Sequence, residues 1–132
     1  DKDNIPTGKK INVNNSTYDF RKTANIGDKI IEKGSPYDEN YIIRKQSRLI
    51  AKLTSPKSKI QLTVFSNQPA VQFYSGQYLK FLSKSKVLKA HQGMCLETQC
   101  FPNSPNNKKF PSSLLKPKET YLHNMKFKIS DI

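Results

Sequence analysis

Tyr121-Leu-His-Asn-Met-Lys-Phe-Lys-Ile129 is the stretch that decides the fold class. Tyr121, His123, Met125, Phe127 and Ile129 occupy one phase of a period of two, and Leu122, Asn124, Lys126 and Lys128 occupy the other. Successive side chains of a strand point to opposite faces, so this alternation predicts a half-buried β-strand. Ile60, Leu62 and Val64 alternate in the same way with Gln61, Thr63 and Phe65. Ala70-Val-Gln-Phe-Tyr74 is rich in strand-forming residues, and residues 41–44 and 48–53 are shorter candidates. Turn signals separate them: Gly34-Ser-Pro36, Ser55-Pro56, Asn67-Gln-Pro69, Ser75-Gly76 and a loop at 102–111 with three prolines. Helical spacing is weak throughout and no repeat is visible. The expected class is all-β, an antiparallel sandwich.

The first forty residues carry less pattern. Ile5-Pro-Thr-Gly8 reads as a turn and residues 9–13 as a short strand. Residues 17–33 hold Phe20, Ile26, Ile30 and Ile31 without a sustained period, which suggests a long connection wrapping a site or another domain. Asp1-Lys-Asp-Asn4 fits either an ordinary frayed end or the scar of a longer polypeptide, and it lacks the apolar stretch of a signal peptide.

At 132 residues the chain is about one domain's worth of polypeptide. No run approaches the roughly 18 apolar residues of a membrane helix, so no membrane partner is expected. The net charge of +13 raises the question of nucleic acid. However, 20 of the 23 basic residues are Lys, and only Arg21, Arg44 and Arg48 offer the bidentate fork that base and phosphate recognition favours. The lysines are scattered, and the 11 Asn beside them point to codon bias, so no specific nucleic-acid partner is expected. Cys95 and Cys100 are too few for a disulfide framework, and on a strand they would face opposite ways. Free thiols in a reducing, cytoplasmic compartment are expected. With His91 and His123 they match no common zinc spacing, so no metal is expected. The overlapping sequons at Asn14 and Asn15 carry little weight in an Asn-rich chain without a signal peptide.

One carboxylate stands apart. Residues 40–96 contain ten Lys or Arg and no acid, and Glu97 is the only acidic residue between Glu39 and Glu119. It follows Met94, Cys95 and Leu96, where an unpaired charge is costly to bury. Such a group is either ion-paired for structure or kept for chemistry. Gly-rich phosphate loops and Gly-x-Ser-x-Gly elbows are absent. Cys95 reads as core packing rather than as a nucleophile paired with His91. Gln72, Glu97, Gln99 and Asp38 form a polar set within strands, although Gln72 also fits a solvent-facing strand position and Asp38 a turn or cap. Aromatic residues such as Phe73, Tyr74 and Phe101 beside those groups suit a sugar, whose apolar ring faces pack on aromatics while polar groups orient its hydroxyls.

Several segments together resemble the aldose 1-epimerases. Gln68-Pro-Ala-Val-Gln-Phe-Tyr-Ser-Gly76 is similar to the family's Gln-Pro-Gly-Val-Gln-Phe-Tyr-Thr-Gly segment, and His91-Gln-Gly-Met-Cys-Leu-Glu-Thr-Gln99 to its His-Ser-Gly-Phe-Cys-Leu-Glu-Thr-Gln. Tyr37-Asp-Glu-Asn-Tyr41 resembles Tyr-Asp-His-Asn-Phe, and Ile5-Pro-Thr-Gly8 matches as it stands. Phe110-Pro-Ser112 and Leu115-Lys-Pro-Lys-Glu-Thr-Tyr121 continue the likeness in the same order. Ala70, Gln77 and Lys118 depart from the family pattern at turn positions.

The resemblance implies a large antiparallel β-sandwich of the galactose mutarotase type. It also implies interconversion of the α and β anomers of an aldohexose such as galactose or glucose, without cofactor or metal. By position Glu97 is then the general base at the C1 hydroxyl, and Asp38 and Gln72 hydrogen-bond sugar hydroxyls. The family's acid His, a second substrate-binding His and a sugar-binding Arg precede the segment matching Ile5-Pro-Thr-Gly8. Residues 1–132 therefore correspond to the C-terminal portion of one epimerase domain, and a second chain carrying the N-terminal portion is the expected partner. The alternatives are a non-catalytic sugar-binding or scaffold module of the same fold and an epimerase of a sugar phosphate.

Overall fold

The computed structural model describes residues 5–44, 48–82 and 87–132. The tetrapeptide 1–4 read above lies outside them. Among the described residues eight strands follow in order: β1 (Asp38–Ile42), β2 (Leu49–Ser55), β3 (Ile60–Ser66), β4 (Ala70–Tyr74), β5 (Phe81–Leu82), β6 (Val87–Leu88), β7 (Cys95–Gln99) and β8 (Met125–Asp131). They form two three-stranded antiparallel sheets, ordered β1-β4-β7 and β2-β3-β8, and a two-stranded ribbon β5-β6. The chain is thus mainly antiparallel β, as its alternation predicts.

Three local expectations are corrected. The strand expected from residue 121 begins at Met125. Strand β3 ends at Ser66, opposite Met125, so residues 121–124 have no ladder neighbour there. The β3–β4 turn holds them instead: Asn67 Nδ2 donates to the Leu122 carbonyl at 2.8 Å, and Asn124 N–H donates to Asn67 Oδ1 at 2.9 Å. Residues 9–13 form no strand, and Ser16 N–H and hydroxyl both turn back onto the Val13 carbonyl.

The connection at 17–33 ends in a two-turn helix, α1 (Ile26–Lys33). Its stops were present in the sequence. The Asn25 side chain accepts from Asp28 N–H at the N-terminus, and Gly34, with φ of 74°, donates to the Ile30 and Ile31 carbonyls at the C-terminus. Eight residues are too few for a helical period to stand out.

Tyr37, just before β1, is completely buried. Its ring stacks on Phe73 of β4 at 5.3 Å and meets Phe20 edge-on at 5.2 Å. Its hydroxyl donates to the Thr17 carbonyl at 2.6 Å and reaches that of Lys29 at 3.3 Å. The Lys33 ammonium lies 5.0 Å from the ring centroid and pairs with Glu39 at 2.7 Å. Its backbone N–H donates to Ser75 Oγ, and Ser75 N–H donates back to the Tyr37 carbonyl, both at 2.9 Å. Burial, and then the nearby Glu39 carboxylate, push the Tyr37 hydroxyl up from 10.0 to about 12.

Truncating this anchor should be expensive. Tyr37→Ala is expected to lower the stability of the intact protein by about 3–5 kcal/mol in denaturant titration, whereas Tyr37→Phe keeps the stack and should cost about 1 kcal/mol. The fold favours the neutral hydroxyl, so its contribution is complete below pH 10.0 and is lost as pH rises towards about 12. Tyr37→Phe should remove that part of the alkaline destabilisation.

Candidate active site

The register of the β1-β4-β7 sheet sorts its side chains by face. Asp38 pairs with Tyr74 and Tyr74 with Cys95; Asn40 pairs with Gln72 and Gln72 with Glu97; Ile42 pairs with Ala70 and Ala70 with Gln99. With a side-chain period of two, all three rows share one face. The opposite face carries Glu39, Phe73 and Leu96 in one row and Tyr41, Val71 and Thr98 in the next. One face of this small sheet is therefore largely polar, and the other packs on Tyr37 and Phe20.

The three residues singled out by the sequence come together on the polar face. Gln72 lies directly between Asn40 and Glu97, where paired side chains stand about 5 Å apart at Cβ. Its Nε2 donates to Asp38 Oδ1 at 2.8 Å, which fixes the amide and leaves its oxygen as an acceptor. Asp38 is a strand residue here rather than a cap. Glu97 is exposed, and among the described residues the ion pairs are Arg21–Asp19, Lys29–Glu32 and Lys33–Glu39. The structural ion pair weighed for Glu97 therefore finds no cationic partner among the described residues.

Sequence reasoning missed some neighbours and misplaced others. Asn40 shares the face and accepts from Gln99 Nε2 at 3.2 Å; its spacing of two from Asp38 was the available signal. Cys95 is half-buried on this same face, not in the core, because it stands two residues before Glu97 on one strand. Burial first, and then the Glu97 carboxylate nearby, push the Cys95 thiol up. Of the three aromatics expected at a sugar site only Tyr74 lies on this face. Phe73 is buried on the other side against Tyr37, and Phe101 is buried against Phe110.

The entry into β7 is held by a close backbone approach. Gly76 has φ of 77°, and a Cβ there would collide with the Gly93 carbonyl oxygen. Gly76 accepts from His91 N–H at 2.8 Å, and His91 Nδ1 lies 2.9 Å from the Ser75 carbonyl. His123 Nε2 lies 3.0 Å from Thr98 Oγ1, on the face opposite Glu97. No group of three His, Cys, Asp or Glu suited to a metal ion occurs among the described residues. No helix among them is long and apolar enough to cross a membrane.

A carboxylate, an acid–amide pair and a tyrosine thus share one sheet face. The family model for aldose 1-epimerase matches residues 1–128. The chain belongs to the aldose 1-epimerase family.

Galactose mutarotase from Bos taurus is 37% identical over 132 residues, covering 96% of this chain and 39% of the bovine protein. The Homo sapiens galactose mutarotase is 36% identical with the same coverage. An aldose 1-epimerase from Haemophilus influenzae is 34% identical over 116 residues, covering 81% of this chain and 34% of its own. In fold, the chain is similar to the crystal structure of a GalM/aldose epimerase homologue from C. elegans, with TM-score 0.90 and 24% identity over 100% of this chain and 42% of that one. The chain thus spans about two-fifths of the length of the mutarotases it matches.

The thiol reports on the carboxylate beside it. Alkylation of Cys95, followed by peptide mass spectrometry to separate it from Cys100, should show a pH midpoint above that of an ordinary thiol. Glu97→Gln removes the neighbouring negative charge, so the midpoint should move down while burial keeps it raised. An unchanged midpoint would place the two side chains apart.

Proposed function

We propose that this chain supplies the base and sugar-binding half of an aldose 1-epimerase site, which interconverts the α and β anomers of an aldohexose. The observation that carries the reading is the convergence of Glu97, Gln72 and Asp38 on one sheet face, with Gln72 tied to Asp38 at 2.8 Å. Family membership supplies the reaction class.

On this reading Glu97 takes the proton from the anomeric C1 hydroxyl as an acid delivers a proton to the ring oxygen. The C1–O5 bond breaks to give the open aldehyde, C1 rotates, and the ring recloses on the other face of the carbonyl. Asp38 and Gln72 accept and donate hydrogen bonds to ring hydroxyls, and their strand-borne backbones hold them in register with Glu97. Tyr74 offers an aromatic surface on the same face. The acid is a histidine outside this chain, carried by the N-terminal portion of the fold on a second chain or on the same longer one. This chain's His123 is engaged with Thr98 on the opposite face, which suits that assignment. Chemistry by proton transfer alone calls for no cofactor. The free thiols of Cys95 and Cys100 suit a cytoplasmic location.

A non-catalytic sugar-binding module is favoured by one observation: Glu97 is exposed, while His91 is engaged with the Ser75 carbonyl and His123 with Thr98. Mutarotation by the assembled protein separates the two. Polarimetry of fresh α-galactose or α-glucose should show catalysis that Glu97→Gln lowers by about 10²–10⁴-fold, with far-ultraviolet dichroism unchanged. Asp38→Ala and Gln72→Ala should mainly raise KM, by about tenfold each, as expected for lost hydrogen bonds to substrate. Sugar binding without turnover in the unmodified assembly would support the module instead.

A further inference from the structure

Glu97 and Asp38 stand on different strands of the β1-β4-β7 sheet, and a sugar held by both has to span the strand between them. β7 carries Glu97, β1 carries Asp38 and β4 lies in the middle. Adjacent strands stand about 4.8 Å apart, so the two outer strands are about 10 Å apart. Asp38 is tied to the central strand by the bond from Gln72. The backbone of β7 is laddered to β4 and not to β1. A side-chain bond closes that gap: Gln99 Nε2 on β7 donates to Asn40 Oδ1 on β1 at 3.2 Å. Among the described residues it is the side-chain hydrogen bond that joins those two strands.

The register makes room for this bridge. Ala70 of β4 is paired with Gln99, and its methyl leaves the lane across the central strand open. Ala70 is completely buried although its parity puts it on the polar face. Gln99 follows Glu97 by two residues and Asn40 follows Asp38 by two. The bridge therefore lies on the same face, beside the Asp38–Glu97 gap and anchored on the same two strands. We propose that Asn40 and Gln99 are positioning residues whose amide bridge fixes the separation of the base Glu97 from the hydroxyl-binding Asp38. Their role rests on the epimerase reading. The bridge is neutral, so it acts on the geometry of the site rather than on the charge of the base. Proton abstraction is sensitive to such support, because a misplacement of about 1 Å costs about 100-fold in rate.

Steady-state mutarotation by the assembled protein tests this, with urea unfolding as a readout independent of activity. Gln99→Asn keeps the amide but shortens the side chain by one methylene, which opens the bridge. Its kcat should fall about 10–100-fold with KM little changed, as expected for a displaced base rather than a lost sugar contact. Adding Asn40→Gln returns the methylene from the other strand, and should restore most of the lost kcat together with the urea midpoint. If the two amides instead bind sugar directly, the second change compounds the first and the losses fall in KM, which overturns the proposal. A lowered urea midpoint with the kcat of the folded protein unchanged would make the bridge structural only, and overturns it as well. Failure of the epimerase reading shows elsewhere: the unmodified assembly then has no turnover, and the positioning role falls with it.

Discussion

The buried ring of Tyr37 is the constraint on which the rest of this structure depends. It joins residues 17–33, through its hydroxyl, to β4 and the Ser75 turn that follows it, through the stack on Phe73 and paired backbone hydrogen bonds. Each contact alone is modest, but together they leave β1 one register against β4. A slip of one residue would turn Asp38 away from the polar face and carry Tyr41 onto it. Lys33 completes the anchor from the helix side, with its ammonium over the ring and its charge met by Glu39. The position of Asp38 is thus a consequence of the packing of the residue before it.

From that register follows the separation of the two faces of β1-β4-β7. Phe73 and Val71 drive burial, while Gln72 and Tyr74, interleaved with them, stay available. A hydrogen bond of 2.8 Å between Gln72 and Asp38 links neighbouring strands without using Glu97, so that carboxylate is not consumed by this link. Placing these groups on strands rather than on loops limits their motion to rotamer changes, which is what differential binding of a reacting sugar requires.

Alternation made β3, β4 and the second half of 121–129 legible, because in those segments the ladder partner and the burial pattern agree. It misled at residues 121–124, where the pattern continues but no strand lies alongside. Helix α1 was obscured by its shortness, although Asn25 and Gly34 marked both ends. Cys95 was misread by residue type: cysteine favours interiors, but strand parity ties it to the face of Glu97. The same parity sends Phe73 to the core despite its aromatic ring. Within a short strand, position relative to a known site residue outweighs the usual preference of the side chain.

Exposure of Glu97 in this portion of the fold bears on how the epimerase site would be completed. A carboxylate bathed in water is a weak base, because solvent stabilises its charge as well as any transition state would. The polypeptide that brings the acid histidine would also exclude water from the polar face, so acid and desolvation would arrive in one step. Each half would expose incomplete catalytic machinery on its own, and the base would gain its strength only where an acid is present to share the work.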